Sequence, residues 1–157
     1  PRTDSAGRRP IVAIDPFMSI DQALARRDLT INAMAIHATS QMLIDPFNGL
    51  QDLEDGILRA PNIDIFAQDP LRFFRIISFI SRFEMYPDLA LHTLCATMSI
   101  EAVSRERIET EFAKMLLRSK RPSLGIRWLK QIGRLKEILP ELAATIDVAQ
   151  NPKWHPE

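Results

Sequence analysis

The apolar positions change their period once along the chain. Before residue 60 they come in short runs. "IVAI" at 11–14 reads as a strand, Ser19 caps a helix over 19–27, and "AMAIH" and "QMLIDPF" pair as a hairpin across "ATS". From Asp69 onward the spacing is helical, predicting helices over 70–83, 89–98, 104–118 and 122–132 and a short one near Leu135. Pro87, Ser104, Pro122 at a first turn, Gly133 and Pro140 supply the starts and stops. The change falls near residues 60–68, so the expected fold class is α+β, mostly α. Residues 1–62 form a mixed part and residues 63–157 an all-helical one, with no internal repeat or low-complexity segment.

The first long helix carries an unusual pattern. In "DPLRFFRIISFISRF", Phe73, Phe74, Ile76, Ile77, Phe79, Ile80 and Phe83 cover most of the circumference, which predicts burial on nearly every side. Asp69, Arg72, Arg75, Ser78 and Arg82 follow at steps of three or four along one side. An arginine stripe on an apolar helix must face water, a carboxylate or a ligand, because an unpaired buried charge costs several kcal/mol. Two readings fit. Asp69 before Pro70 has the form of a helix cap whose arginines pair with nearby acids. Alternatively, Asp69 accepts from a base amino group while an arginine fork donates to a ring nitrogen or carbonyl, which makes the stripe a candidate nucleotide site.

Composition narrows the classes. The 157 residues are 46% hydrophobic and 25% charged, an ordinary globular balance for one compact unit or two small ones. One cysteine, Cys95, excludes a disulfide framework, and three histidines give no zinc-like cluster, so a reducing cytoplasm is expected. No apolar run approaches a membrane span, and "PRTDSAGRRP" has neither an initiator methionine nor the apolar region of a signal peptide, so it reads as the interior of a longer protein. The zero net charge hides an asymmetry. Residues 44–69 hold six acids and one base, whereas residues 104–136 hold ten bases and three acids. The second block is either a solvated helical surface or a field that attracts phosphate.

A further oddity is "RRDLTINAMAI", residues 26–36, where two arginines and an aspartate run straight into a mostly apolar segment. Taken with "IDPFNGLQDLEDGILRA" and "QDPLRFFRIISFISRF", in that order, it resembles the class II tRNA nucleotidyltransferases, the CCA-adding enzymes and their bacterial poly(A) polymerase relatives. "RERIETEFAKMLL", "LKQIGRLKEILPEL" and "KWHPE" extend the resemblance over almost the whole chain. It implies that residues 1–62 are the C-terminal part, with a remnant of the sheet, of a nucleotidyltransferase head, and that residues 63–157 are a helical neck and body. Arg27 and Asp28 map to positions at the sugar and phosphates of the incoming nucleotide, with Arg26, Thr30 and Asn32 in support. The family's Glu-Asp-x-x-Arg base-templating motif falls on Gln68, Asp69 and Arg72, and Arg75 occupies a further nucleotide-contacting position. The chain departs from the pattern at Gln68, where glutamate is usual, and at Ser78, where many relatives have arginine. Gln68 keeps a hydrogen bond to Arg72 within reach without a charge to orient it, which predicts looser base selectivity.

The resemblance also implies Mg2+, held by paired aspartates that follow a Gly-rich segment. The chain has neither Gly-Gly nor Gly-Ser, and "DLED" at 52–55 reads as first-turn acids of a helix, so no metal ligand and no catalytic residue is assigned here. Those aspartates are expected ahead of Pro1, leaving the chain without polymerising activity by itself. Loss of the upstream strands is expected to leave a sheet edge prone to association. The expected partners are the tRNA 3′ end, CTP and ATP, with no membrane. Arg127, Lys130 and Arg134, at steps of three and four opposite Leu124, Trp128 and Ile132, form the candidate tRNA-facing row; a solvated amphipathic face is the alternative. His155 resembles the entry to a phosphohydrolase domain and is assigned no metal. A poly(A) polymerase, a CC- or A-adding relative and a non-catalytic RNA-binding module remain the alternative functions.

Overall fold

The computed structural model describes residues 15–148; the strand expected at 11–14 and the "KWHPE" end lie outside the described residues. Helix α1 (Ile20–Ala25) starts at Ser19, whose hydroxyl accepts from the Gln22 amide while the Gln22 side chain accepts from the Ser19 amide, a capping box. A 3₁₀ turn, Thr30–Asn32, follows. Strands β1 (Ala35–Ile36) and β2 (Leu43–Ile44) then pair antiparallel, with Ala35 opposite Ile44, as the hairpin pattern predicts.

Three short elements carry no periodic signal long enough to read in the sequence: α2 (Gly49–Asp55), β3 (Ile57–Leu58) and α3 (Ile63–Ala67). The acids of "DLED" do lie in α2, but only Asp52 is in its first turn, Glu54 and Asp55 falling at its end; Asp52 is buried, accepting from Thr30 Oγ1 at 2.6 Å and from Arg59 Nε at 3.2 Å. Its surroundings are those of a structural carboxylate pinning the 3₁₀ turn to α2.

The helical part follows the predicted order: α4 (Leu71–Phe83), α5 (Leu89–Thr97), α6 (Arg105–Arg118), α7 (Pro122–Gln131) and α8 (Leu135–Ile138), then α9 (Pro140–Ala143). Helix α4 is the centre of the core, packed against α6 and α7. Phe73, Phe74, Ile76, Ile77 and Ile80 are buried, Phe73 meeting Phe74 edge-on at 5.2 Å and Trp128 of α7 at 5.9 Å. Phe83 departs from the expected burial. It is 51% exposed at the last turn, stacked on Phe79 and capped by the Arg82 guanidinium, where it lines an open apolar groove of about 390 Å³ with Ile31, Leu53 and Met85.

The expected break between a mixed and an all-helical part is crossed by a second sheet. Strand β4 (Tyr86–Pro87), just after α4, pairs in parallel with β3. Arg59 reinforces the junction, donating to Asp52 and, through Nη1, to Asp88 at 3.0 Å. Among the described residues no helix is long and apolar enough to cross a membrane.

Candidate nucleotide site

The site forms where the 26–32 segment meets the N-terminal half of α4. Leu29, Thr30 and Ala33 are buried, so the backbone beneath the charges is fixed to the core while Arg26 and Arg27 stay exposed. This separation accounts for three charges beside an apolar run. Within the segment, Arg27 Nε donates to the Asn32 carbonyl at 3.0 Å, and Asn32 Nδ2 donates to Asp28 Oδ1 at 3.1 Å. The Leu29 amide donates to the same Asp28 oxygen. Asp28 is thereby held buried, with its second oxygen 2.7 Å from Arg75 Nη2 in an ion pair across to α4.

Arg72 completes the tie between the two segments. Its Nη1 donates to the Ile65 carbonyl of α3 at 2.8 Å and its Nη2 to the Arg26 carbonyl at 2.6 Å, with Phe66 beneath the guanidinium. Burial pulls the Arg72 pKa below its ordinary value, while Asp69 and Asp28 oppose that shift by favouring the charged form. Two of its five N–H donors make these bonds, so the fork is fixed in direction and still has donors to offer.

Asp69 lies at the head of α4 and does what the cap reading requires, accepting from the Leu71 amide at 3.2 Å through Oδ1. The same oxygen is 4.0 Å from Arg107 Nη2, reaching across from α6. Gln68 is exposed and C-caps α3 through its backbone. The structure thus gathers Arg26, Arg27, Asp28, Asn32, Asp69, Arg72 and Arg75 into one lip-and-helix arrangement.

The stripe does not continue as expected. Ser78 is 3% exposed with its hydroxyl unpartnered among the described residues, and Arg82 stacks on Phe83, so of the stripe only Arg72 and Arg75 contact the 26–32 segment. Arg134 corrects the candidate tRNA-facing row. Helix α7 ends in a Schellman motif: Gly133, at φ +76°, donates to the Lys130 carbonyl and the Arg134 amide donates to the Leu129 carbonyl. That left-handed residue turns Arg134 off the Arg127–Lys130 face and into the core. There its guanidinium donates to the Cys95 and Met98 carbonyls at the end of α5, bonds both Glu137 oxygens and lies 4.9 Å from the Phe73 ring. Arg127 and Lys130 are exposed. Arg107 was missed by the sequence reading, although a cation in the first turn of α6, where the helix dipole disfavours it, signals a partner on another element.

The three carboxylates at and beside the site do not suit magnesium. Asp28 faces Arg75, Asp52 faces Arg59 and Asp69 faces Arg107, so each already has a guanidinium where a metal would compete. No group of three or more His, Cys, Asp or Glu side chains converges among the described residues.

Known proteins resemble this chain in sequence and in fold. The profile of the Poly A polymerase head domain matches residues 3–59, and that of the probable RNA and SrmB-binding site of polymerase A matches residues 89–146. A Multifunctional CCA protein of Hahella chejuensis is 39% identical over 154 residues, covering 94% of this chain and 36% of that protein. A CCA-adding enzyme solved with CTP superposes with a TM-score of 0.70 at 33% identity, covering 78% of this chain and 31% of the other. The Thermotoga maritima CCA-adding enzyme complexed with tRNA gives 0.69 at 31% identity, covering 85% and 32%. The chain spans about a third of the length of the relatives it matches. With head-domain sequence, RNA-binding-region sequence and fold all in agreement, the chain belongs to the family of tRNA nucleotidyltransferases and poly(A) polymerases.

Proposed function

We propose that this chain is the nucleotide-selecting and tRNA-contacting portion of an enzyme that adds CCA to tRNA 3′ ends from CTP and ATP. The observation that carries the reading is the junction of the Arg26–Asp28 lip with α4, where Arg72 bonds the Arg26 carbonyl and Arg75 pairs with Asp28. Cytosine and adenine both present an amino group beside a ring nitrogen acceptor on their pairing edge; guanine and uracil present a carbonyl beside an N–H. A carboxylate next to a guanidinium fork matches the first pattern and opposes the second. Asp69 accepts from the amino group, Arg72 donates to the ring nitrogen, and Arg27, Asp28 and Arg75 take the sugar and phosphates. Arg26, Asn32 and Gln68 support them, and residues 1–62 and 63–157 act as the end of the head and the neck and body.

Exposed Arg127 and Lys130 on α7 face the tRNA backbone, within the basic block of residues 104–136. Arg134 is left out of that row. Mg2+ supplies charge neutralisation at the triphosphate when the reaction runs; its ligands belong to polypeptide outside this chain, and a cytoplasmic location goes with the reading.

The test is a graft. Replacing the matching segment of the Hahella chejuensis protein with this chain gives a hybrid that adds C, C and A to tRNA lacking its end. Long adenosine tracts in place of CCA would favour the poly(A) polymerase reading. A folded hybrid with no transfer would contradict both.

A further inference from the structure

We propose that Arg107 of α6 is a positioning residue that sets the base selectivity of the site. The inference rests on the reading that Asp69 accepts from the base. The two base-reading side chains are held by different elements. Arg72 is fixed by carbonyls of α3 and the lip, whereas Asp69 accepts one hydrogen bond, from the Leu71 amide at 3.2 Å, and has Arg107 Nη2 beyond hydrogen-bond reach at 4.0 Å as its ion-pair partner. Both act on Oδ1. Oδ2 makes no hydrogen bond or ion pair among the described residues, so one oxygen is anchored and the other is presented as an acceptor.

The alternative partner explains why the anchor matters. Asp69 and Arg72 are three residues apart on one face of the chain's turn into α4, a spacing at which a carboxylate and a guanidinium attract each other. If Asp69 swings onto Arg72, acceptor and donor satisfy one another and neither reads the base. A cation on the far side of Oδ1 opposes that swing, and only α6 supplies one in the described ion pairs of Asp69. Arg107 keeps the carboxylate apart from the fork it works beside. It does so from the first turn of a helix, where the dipole gives a cation no support of its own. At 40% exposure it is reachable by solvent, so its removal opens no cavity in the core.

The measurement is a double-mutant cycle on the 157-residue chain, titrating CTP, ATP, GTP and UTP by calorimetry, with circular dichroism confirming that each variant is folded. Arg107→Ala is expected to narrow the preference for CTP and ATP by about three- to tenfold, the range of a lost orienting contact. Arg107→Lys recovers part of it. In an Asp69→Asn background, Arg107→Ala changes the preference no further. An Arg107→Ala chain that weakens for all four nucleotides alike, or keeps its full preference while Asp69→Asn loses it, overturns the assignment and leaves base reading by Asp69 intact. Preference retained in Asp69→Asn overturns the base-reading assignment and this inference with it.

Discussion

A buried arginine is stable only where every donor and the charge itself are answered, and Arg134 shows how this chain does it. Two carbonyls at the end of α5, the Glu137 carboxylate and the Phe73 ring surround it, and the bond from Arg134 holds the Glu137 pKa below the usual carboxylate value. Arg134→Met removes the fork but leaves the α5 carbonyls unanswered. It is expected to cost about 2–4 kcal/mol in denaturant unfolding, with Arg134→Lys a poor substitute. Cys95 reports the same event. Burial pushes its thiol up to about 12, against the pull of Arg134, so thiol reagents are expected to label it slowly in the native chain; the Met variant loses that pull, and its faster labelling comes from more frequent opening of the destabilised core. The failure to foresee this role is physical. A row of cations at steps of three and four is meaningful only while the helix lasts, and Gly133 ends it before Arg134. The common side shared by Asp69, Arg72 and Arg75 was legible because α4 follows Asp69 directly and runs unbroken beneath the two arginines, whereas Arg107 shares no element with the carboxylate it faces.

At the scale of elements, the fold turns on how closely α7 approaches α4. Gly125 makes the approach possible: a Cβ there would stand 2.4 Å from Ser81 Oγ and 2.9 Å from the Ile77 carbonyl. Ser81 uses that proximity to accept from the Gly125 amide at 3.1 Å, which answers the hydroxyl inside the core. Gly125→Ala raises helix propensity yet is expected to destabilise by about 2–3 kcal/mol, because backbone as well as side chain must move. Thermal unfolding compared with an exposed control, Ala113→Gly on α6, separates packing from propensity. A stabilised Gly125→Ala chain would contradict the packing described here. Helices α4, α6 and α7 were readable because a 3.6-residue period repeats in each. The β3–β4 pair was not, since a two-residue parallel ladder between distant segments leaves no period to find.

At the scale of the molecule, the mixed and helical parts are one frame around the candidate site. The β3–β4 pair, Arg59 on Asp88, Arg72 on the Arg26 carbonyl and Arg75 on Asp28 all cross the change of pattern near residues 60–68. The lip is therefore braced against α4 by the protein's own contacts, and bracing of this kind lowers the ordering cost of binding. Zero net charge conceals the arrangement, because in sequence the acidic stretch lies between the lip and α4 while the basic stretch, which supplies Arg107, follows α4. The most direct test of the central claim is a metal-free calorimetric titration of the unaltered chain with CTP, ATP, GTP and UTP, beside Asp69→Ala and Arg72→Ala. CTP and ATP are expected to bind over GTP and UTP, with the preference lost in both variants. Equal affinity for all four nucleotides, or a preference that survives both substitutions, would contradict that claim.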